Sequence, residues 1–298
     1  MQTVEPESSP VNGRENLAGA GGPALISRLD WRHLAFLAAA GLALTFWPLF
    51  QYLPGIWFAN DTYYAHGVVV PICSGLIVWD RWDKLKTIPV KGAAWALVPL
   101  FACLYVLWFA LRADMHTVEA TLLVLILGAA VLFVAGWRWL WALSIPIGYL
   151  FFGLPIWEHW IDKYTMQSQM ASTNYAYDIL KLVGLNPWRQ DATTIVLDHF
   201  TLTVAVACSG LKLVLAVSAI TVFFMCVGKL KWWGNLVMLA SVLPLSFLVN
   251  SIRIAMIGWV GNNWGDAAGH QFHDYSGYIS LVLCFLLMMK ITRWLGWK

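Results

Sequence analysis

Long apolar runs without Asp, Glu, Lys or Arg alternate with short charged segments along most of this chain. Each run approaches the length of about 20 residues that a helix needs to cross a membrane, although the last is long enough only if neighbouring residues are included. A soluble protein rarely contains so many buried helices in a row. The pattern therefore predicts an all-α polytopic membrane protein with about eight transmembrane helices. The runs are residues 33–60, 62–79, 92–111, 120–137, 139–157, 202–228 (interrupted only by Lys212), 232–252 and 275–289.

The segment from about 156 to 207 is the only long stretch between predicted spans. From Trp157 to Leu182 its apolar residues recur at three- and four-residue spacing, which predicts a short external amphipathic helix lying on the outer leaflet. The rest is rich in β-branched residues around a polar turn at Asp198–His199. This second part predicts a β-hairpin whose second strand runs directly into the sixth span.

Residues 1–30 are rich in Pro, Gly, Ala and Ser and show no apolar periodicity, so we expect a disordered cytoplasmic tail. The acidic start lacks the basic n-region and apolar stretch of a secretory signal. Residues 31–298 are predicted to form a single transmembrane domain that includes the external segment 156–207.

Composition supports the membrane assignment, because 60% of the residues are hydrophobic and only 12% are charged. Ordinary soluble domains are about 25% charged. The 19 Trp residues suit many membrane–water boundaries. A net charge of +3 gives no indication of a nucleic-acid partner, and the five Cys form no disulfide framework and no Cys-x-x-Cys metal pair. No cofactor and no metal are predicted.

Basic residues give the predicted orientation, because Lys and Arg concentrate on the cytoplasmic side of membrane proteins. With the N-terminus inside, thirteen of the 19 basic residues fall inside and four outside. We therefore expect a multi-pass protein of the plasma (inner) membrane with both termini cytoplasmic and segment 156–207 external. The remaining two basic residues, Lys212 and Arg253, fall within spans, where a charge is costly and indicates a functional site.

Cys208 lies in the sequence A-C-S-G-L-K, where the predicted strand meets the sixth span. We expect it on the first turn of an outward-facing helix end, whose N-terminus stabilises a thiolate. Lys212, one turn further on, would add a positive charge near the sulfur. The alternative is that Cys208 is a small apolar residue packed at a helix end.

Arg253 lies in N-S-I-R-I near the outer end of the seventh span, with Asn250 on the same helix face. A guanidinium here can donate to a developing oxyanion or to a substrate carboxylate. Alternatively, it snorkels to the outer headgroups.

His273 opens the eighth span and is expected at the same depth as Cys208 and Arg253. A thiol beside an imidazole is the minimum for acyl transfer through a thioester. The imidazole takes the proton of the thiol and later exchanges a proton with the leaving or attacking amine. His199 and His270 are also predicted to be external. A metal site of these three histidines is an alternative, although their spacing does not support it.

The tetrapeptide C-S-G-L occurs at both Cys73 and Cys208, so this string alone does not identify a nucleophile. Cys73 follows His66 by seven residues, which places it about 10 Å down a helix from the outer surface. No cation is near it in the sequence, so Cys208 is the predicted nucleophile. The other three cysteines, Cys103, Cys226 and Cys284, are assigned to packing.

Four strings together resemble the exosortase and archaeosortase family of integral membrane cysteine transpeptidases. They are Y-A-H-G-V-V-V-P at 64–71, A-C-S-G-L-K at 207–212, N-S-I-R-I at 250–254 and H-D-Y-S-G at 273–277, in the family's order and approximate spacing. The resemblance assigns the family's nucleophile to Cys208, its arginine to Arg253 and its histidine to His273. Lys212 stands where the family more often has arginine, and Asn250 is a supporting residue.

The resemblance implies an enzyme that cleaves C-terminal sorting signals of exported proteins at the outer face of the membrane. Its partners would be the lipid bilayer and substrates of the PEP-CTERM type, with a short Pro-containing motif, a transmembrane helix and a basic tail. The new C-terminus would pass through a thioester to an unknown acceptor nucleophile. Two alternatives from other classes are a small-molecule transporter and a non-catalytic assembly factor for surface polysaccharide.

Overall fold

The structure is a computed structural model that describes residues 36, 40–59 and 62–297. The predicted tail, residues 1–30, lies outside these described residues. The chain divides into two compact units, Met1–Thr45 and Phe46–Lys298. In the first unit, residues 40–45 are helical, and Thr45 Oγ1 donates a hydrogen bond to the carbonyl oxygen of Gly41 over 2.7 Å.

The second unit is mainly helical, and its helices carry most of the residues that form the site. Within the part of the chain that the structure describes they are α1 Trp47–Trp57, α2 Val69–Asp80, α3 Trp82–Leu85, α4 Leu97–Arg112, α5 His116–Val134, α6 Trp137–Tyr149, α7 Glu158–Leu182, α8 Leu211–Val227, α9 Trp232–Trp264 and α10 Asp266–Trp294.

Apolar helices of spanning length confirm that this is an integral membrane protein. Among the described residues, four are long and apolar enough to cross a bilayer: α4 with the short 3₁₀ turn before it, α5, α9 and α10. The count becomes five if the segments Trp137–Gly153 and Glu158–Leu182, bent by 58°, form one broken span.

The predicted number of eight spans is not confirmed. Two of the predicted spans correspond to α2 and α8, which have 12 and 17 residues. At 1.5 Å per residue these helices are about 18 and 26 Å long, less than a hydrocarbon core of about 30 Å. The first predicted span lies partly outside the described residues. Helices α2 and α8 reach the ends of their apolar runs but begin late, because turns at residues 63–68 and at Val206–Cys208 precede them.

Helix α7 covers nearly the whole range predicted for the external amphipathic helix, and it packs against α9. Its buried face is largely polar, while Trp160, Tyr164 and Tyr175 are exposed. The apolar periodicity therefore predicted the helix, and most of its large apolar residues mark the exposed face, although Ile161 is buried. The buried polar face contains Thr165, Ser168, Gln169, Ser172 and Thr173.

A small antiparallel sheet follows α7, in the order β1 (Trp188–Arg189), β2 (Thr194–Val196) and β3 (Thr201–Thr203). Strand β2 pairs with both neighbours. Ile195, Leu202 and Val204 are buried in a core that also includes residues of α7 and α9. Because this packing holds the sheet against two long helices, it fixes the segment that leads to Cys208.

The connection from β3 to α8 differs from the predicted direct entry of a strand into a helix. Residues Val206–Cys208 form a 3₁₀ turn, and α8 begins only at Leu211. Gly210 precedes α8 with φ +89°, a left-handed conformation that side chains disfavour. Cys208 therefore lies before the helix and not on its first turn.

Candidate active site

The predicted thiol and imidazole meet in the folded chain. Cys208 Sγ lies 3.0 Å from His273 Nε2. The Cys208 residue is only 4% exposed and belongs to the core around the sheet. His273 lies in the second turn of α10, about 10 Å from the start of that helix. A nucleophile and a base at hydrogen-bond distance are the first requirement of covalent catalysis.

Arg253 of α9 joins this pair through three contacts. Its Nε donates to Ser276 Oγ over 2.9 Å, its Nη2 donates to the carbonyl oxygen of His273 over 3.2 Å, and its Nη1 lies 3.9 Å from Cys208 Sγ. The guanidinium is thus held inside the protein beside the sulfur. This geometry differs from that of an arginine extended toward lipid headgroups.

Asn250 holds the backbone of the thiol residue. Its Nδ2 donates to the carbonyl oxygen of Cys208 over 2.8 Å and to Ser172 Oγ over 3.2 Å. The Ser172 hydroxyl in turn donates to the carbonyl oxygen of Ser209 over 3.2 Å. A Cβ on Gly210 would lie 3.1 Å from Asn250 Nδ2, so a side chain there would crowd this contact. Two buried polar side chains on α9 and α7 thereby fix the turn.

The electrostatic surroundings favour ionisation of the thiol. Burial raises the pKa of Cys208, but the hydrogen bond with His273 and the positive charges of Arg253 and Lys212 lower it by more. The pKa of the thiol is therefore below its ordinary value. The predicted position of Cys208 on the first turn of the helix is wrong, since the residue precedes α8. The groups that lower its pKa are Lys212 of α8, Arg253 of α9 and His273 of α10.

Asp274 was not singled out in the sequence analysis, yet it contacts the base. Its Oδ1 lies 3.2 Å from His273 Nδ1, and its side chain is 77% exposed. With a proton on Nδ1 toward this carboxylate, the unprotonated Nε2 faces the thiol. The sequence did offer one indication of this contact, because Asp274 directly follows His273. Ser276 was also missed, although its place three residues after His273 puts it on the same helix face.

A cavity of about 730 Å³ opens beside these groups. Arg253, Asn250, His273, Asp274 and Lys212 contribute to its wall. Lys212 Nζ also lies 5.9 Å from the ring centre of Tyr63. Such a volume is large enough for several residues of an extended peptide.

The other cysteine and histidine candidates lie elsewhere. Cys73 is within α2 and packs against the cluster that contains Tyr149 and Ala219. His270 pairs with Asp266 over 3.5 Å on the exposed start of α10, and the backbone N–H of His199 donates to Asn262 Oδ1. Within the described ranges, no three His, Cys, Asp or Glu side chains are grouped as metal ligands.

The family relationship follows from comparison with known proteins. The model of the transmembrane exosortase family matches residues 57–290, which are 234 of the 298 residues. This integral membrane protein therefore belongs to the transmembrane exosortase family, and the resemblance noted in the sequence is confirmed. Comparisons with curated proteins and with solved structures gave no match.

Proposed function

We propose that this protein is a cysteine transpeptidase that processes C-terminal sorting signals of exported proteins. The observation that carries the proposal is the 3.0 Å contact between Cys208 Sγ and His273 Nε2, next to Arg253. His273 and Arg253 line a large cavity, and the buried thiol lies directly behind them. Membership of the exosortase family supports the same activity.

In the first half of the reaction, His273 Nε2 takes the thiol proton and Cys208 Sγ attacks the scissile carbonyl carbon. A carbon–sulfur bond forms, and the carbonyl oxygen becomes an oxyanion that Arg253 Nη1 stabilises. The intermediate collapses with cleavage of the carbon–nitrogen bond. His273 gives its proton to the departing amine, which leaves a thioester on Cys208.

In the second half, an acceptor nucleophile attacks the thioester carbon. His273 takes the proton of the acceptor, the carbon–sulfur bond breaks, and the thiolate recovers the proton from His273. When water is the acceptor, the same steps give hydrolysis. Asp274 keeps His273 in the tautomer and orientation that both halves require.

Substrate and topology complete the proposal. The substrate has a Pro-containing motif, a transmembrane helix and a basic tail, and is cut between motif and helix. Its helix brings the cleavage site to the outer membrane interface, so proximity replaces tight binding. This arrangement requires the site and segment 156–207 to face the outside of the inner membrane. The distribution of basic residues and the apolar runs favour cytoplasmic termini and about eight crossings. The β2–β3 pair acts as a hairpin that presents Cys208.

The two occurrences of C-S-G-L provide a matched test. A reporter with an exported domain and this type of C-terminal signal is produced together with the protein, and cleavage is followed as a change in reporter size. Cys208→Ala should abolish cleavage, and Cys73→Ala should retain most of it, at equal amounts of protein in the membrane. Cleavage by the Cys208→Ala variant, or equal loss in both variants, would contradict the proposal. A transporter or an assembly factor should tolerate the loss of this thiol.

A further inference from the structure

The turn between α1 and α2 forms a second part of the cavity wall, through Thr62, Tyr63, Ala65 and His66. This turn carries the Y-A-H-G string, to which the reaction described above assigns no role. His66 is the ionisable group of the string nearest α2, and it is only 7% exposed.

Long-range hydrogen bonds hold this turn against the chain between α6 and α7. Trp57 Nε1 donates to the carbonyl oxygen of Gly153 over 2.8 Å, and the backbone N–H of Trp157 donates to Tyr64 Oη over 3.1 Å. A Cβ on Gly67 would lie 2.1 Å from Trp57 Nε1, so the close approach of the Trp57 ring requires glycine at position 67. These contacts hold the turn in place at the cavity wall.

The contacts of His66 determine the tautomer of its ring. Nε2 lies 3.1 Å from the carbonyl oxygen of Phe152. A carbonyl oxygen only accepts hydrogen bonds, so the ring proton is on Nε2 and Nδ1 has a free lone pair. No group among the described residues donates to Nδ1. His66 lines the cavity and Phe152 does not. Nδ1 is not among the fully buried, unpaired side-chain atoms of the described residues, so it is the ring nitrogen that a ligand in the cavity can reach.

The ring is also neutral. Burial lowers the pKa of His66 to about 4, although the Phe152 carbonyl partly opposes this effect. His66 lies in the turn before α2, outside the helices of spanning length. At neutral pH it is therefore a fixed hydrogen-bond acceptor, and it is too weak a base to replace His273.

We propose that Nδ1 of His66 accepts a hydrogen bond from a backbone N–H of the peptide bound in the cavity. The charged side chains of the cavity wall are Arg253, Lys212 and Asp274, so they do not select an ammonium donor. A neutral peptide instead offers one N–H per residue, and leaving a buried N–H unpaired is costly. This inference rests on the proposed function and makes His66 a positioning residue for the substrate.

Two substitutions separate this role from a purely structural one. His66→Gln can place an N–H near the position of Nε2 and keep the contact with Phe152, but it loses the Nδ1 acceptor. His66→Asn can place an oxygen near the position of Nδ1, but it loses the contact with Phe152. We expect His66→Gln to raise KM about 2- to 10-fold with kcat nearly unchanged, the effect of one lost neutral hydrogen bond, and His66→Asn to have the smaller effect on KM. If His66→Gln has a normal KM and only His66→Asn is impaired, the role is structural and the proposal is wrong. His159→Gln, the same change on the exposed start of α7, is the control.

A backbone change in the substrate tests the bond directly. The probe is a synthetic peptide with the motif, the apolar helix and the basic tail, in which single amides before the cleavage site are replaced by esters. One ester should lower kcat/KM of the natural enzyme about 2- to 10-fold and have no further effect in His66→Gln. Equal losses in both enzymes at every position would overturn the proposal.

The same ester series is also measured as binding to the Cys208→Ala variant. Failure of the proposed chemistry would appear as cleavage by Cys208→Ala. Failure of the His66 inference would appear as ester effects on the dissociation constant that do not depend on His66.

Discussion

Asn250 and Cys208 are joined by a hydrogen bond of 2.8 Å from the Asn250 amide to the carbonyl oxygen of Cys208. Both residues are nearly fully buried, with exposures of 3% and 4%. The bond links the long helix α9 to the 3₁₀ turn that carries the thiol. Because α9 also carries Arg253, a single helix positions both the turn and the guanidinium.

Replacing Asn250 with alanine should therefore damage both activity and stability. The variant leaves the Cys208 carbonyl without its donor, and loss of such a buried partner costs about 1–3 kcal/mol. We expect a lower melting temperature in detergent and a loss of cleavage of at least about tenfold. Asn263→Ala is the control, because Asn263 lies exposed on the same helix and its amide donates to the carbonyl oxygen of Trp259 within that helix. Equal behaviour of the two variants would contradict this role for Asn250.

Arg253→Lys should remain badly impaired, although the positive charge is kept. Arg253 uses Nε and Nη2 to contact Ser276 and His273 while Nη1 points to the sulfur, and a lysine ammonium has no planar fork with which to repeat this. We expect turnover to fall by about 10²–10³, as when one oxyanion donor is lost, with substrate binding nearly unchanged. Arg189→Lys, on the exposed strand β1, is the control for replacing an arginine with a lysine. Near-normal cleavage would remove Arg253 from the catalytic set and leave the pair Cys208 and His273.

Asp274→Asn should lower kcat modestly and leave KM unchanged. The His273–Asp274 contact orients the base, but the Asp274 side chain is 77% exposed, so water weakens the interaction. Exposed pairs contribute about 0.2–1 kcal/mol, which corresponds to about 1.5- to 5-fold in rate. Asp266→Asn breaks the similar His270–Asp266 contact at the start of α10 and should not change kcat. If both variants lose the same activity, orientation by Asp274 is not the cause.

Alkylation of Cys208 should show a pH dependence shifted toward acid. Only the thiolate reacts, and the pKa of Cys208 is below its ordinary value, so the rate should reach half its maximum at a lower pH than for an ordinary cysteine. Removing a positive charge disfavours the thiolate, so Arg253→Gln should move this midpoint upward. Iodoacetamide labelling followed by mass spectrometry of the Cys208 peptide measures both midpoints. An unshifted midpoint in Arg253→Gln would show that Arg253 does not affect the thiol.

Topology can be tested with single cysteines at exposed positions. Asn186→Cys lies in the segment predicted to be external, and Asp83, with a side chain 88% exposed, lies between α2 and α4 on the predicted cytoplasmic side. A membrane-impermeant maleimide should label Asn186→Cys in intact cells and Asp83→Cys only after permeabilisation. The reverse pattern would overturn the orientation from basic residues.

Several features followed from the sequence without the structure. Apolar runs predicted a helical membrane protein, since hydrocarbon requires both apolar side chains and internal backbone hydrogen bonds. The four strings identified the family and singled out Cys208, Arg253 and His273. The number of spans was not predictable in this way, because an apolar run does not show where tertiary packing ends a helix.

Local sequence was insufficient where distant segments decide the conformation. The string C-S-G-L is a regular part of helix α2 at Cys73, whereas at Cys208 it includes the left-handed Gly210 and precedes a helix. Asn250 of α9 and Ser172 of α7 bind the second copy, and nothing in the string itself encodes those partners.

The sequence by itself determined the membrane class, the family and the chemical types of the site residues. These properties depend on composition and on short strings, which can be read one segment at a time. The tertiary structure alone decided that α7 buries its polar face, that Asn250 binds the Cys208 carbonyl, and that His66 shares a cavity with Arg253. Such contacts depend on how the helices pack, and residues far apart in the chain come together only when that packing is complete.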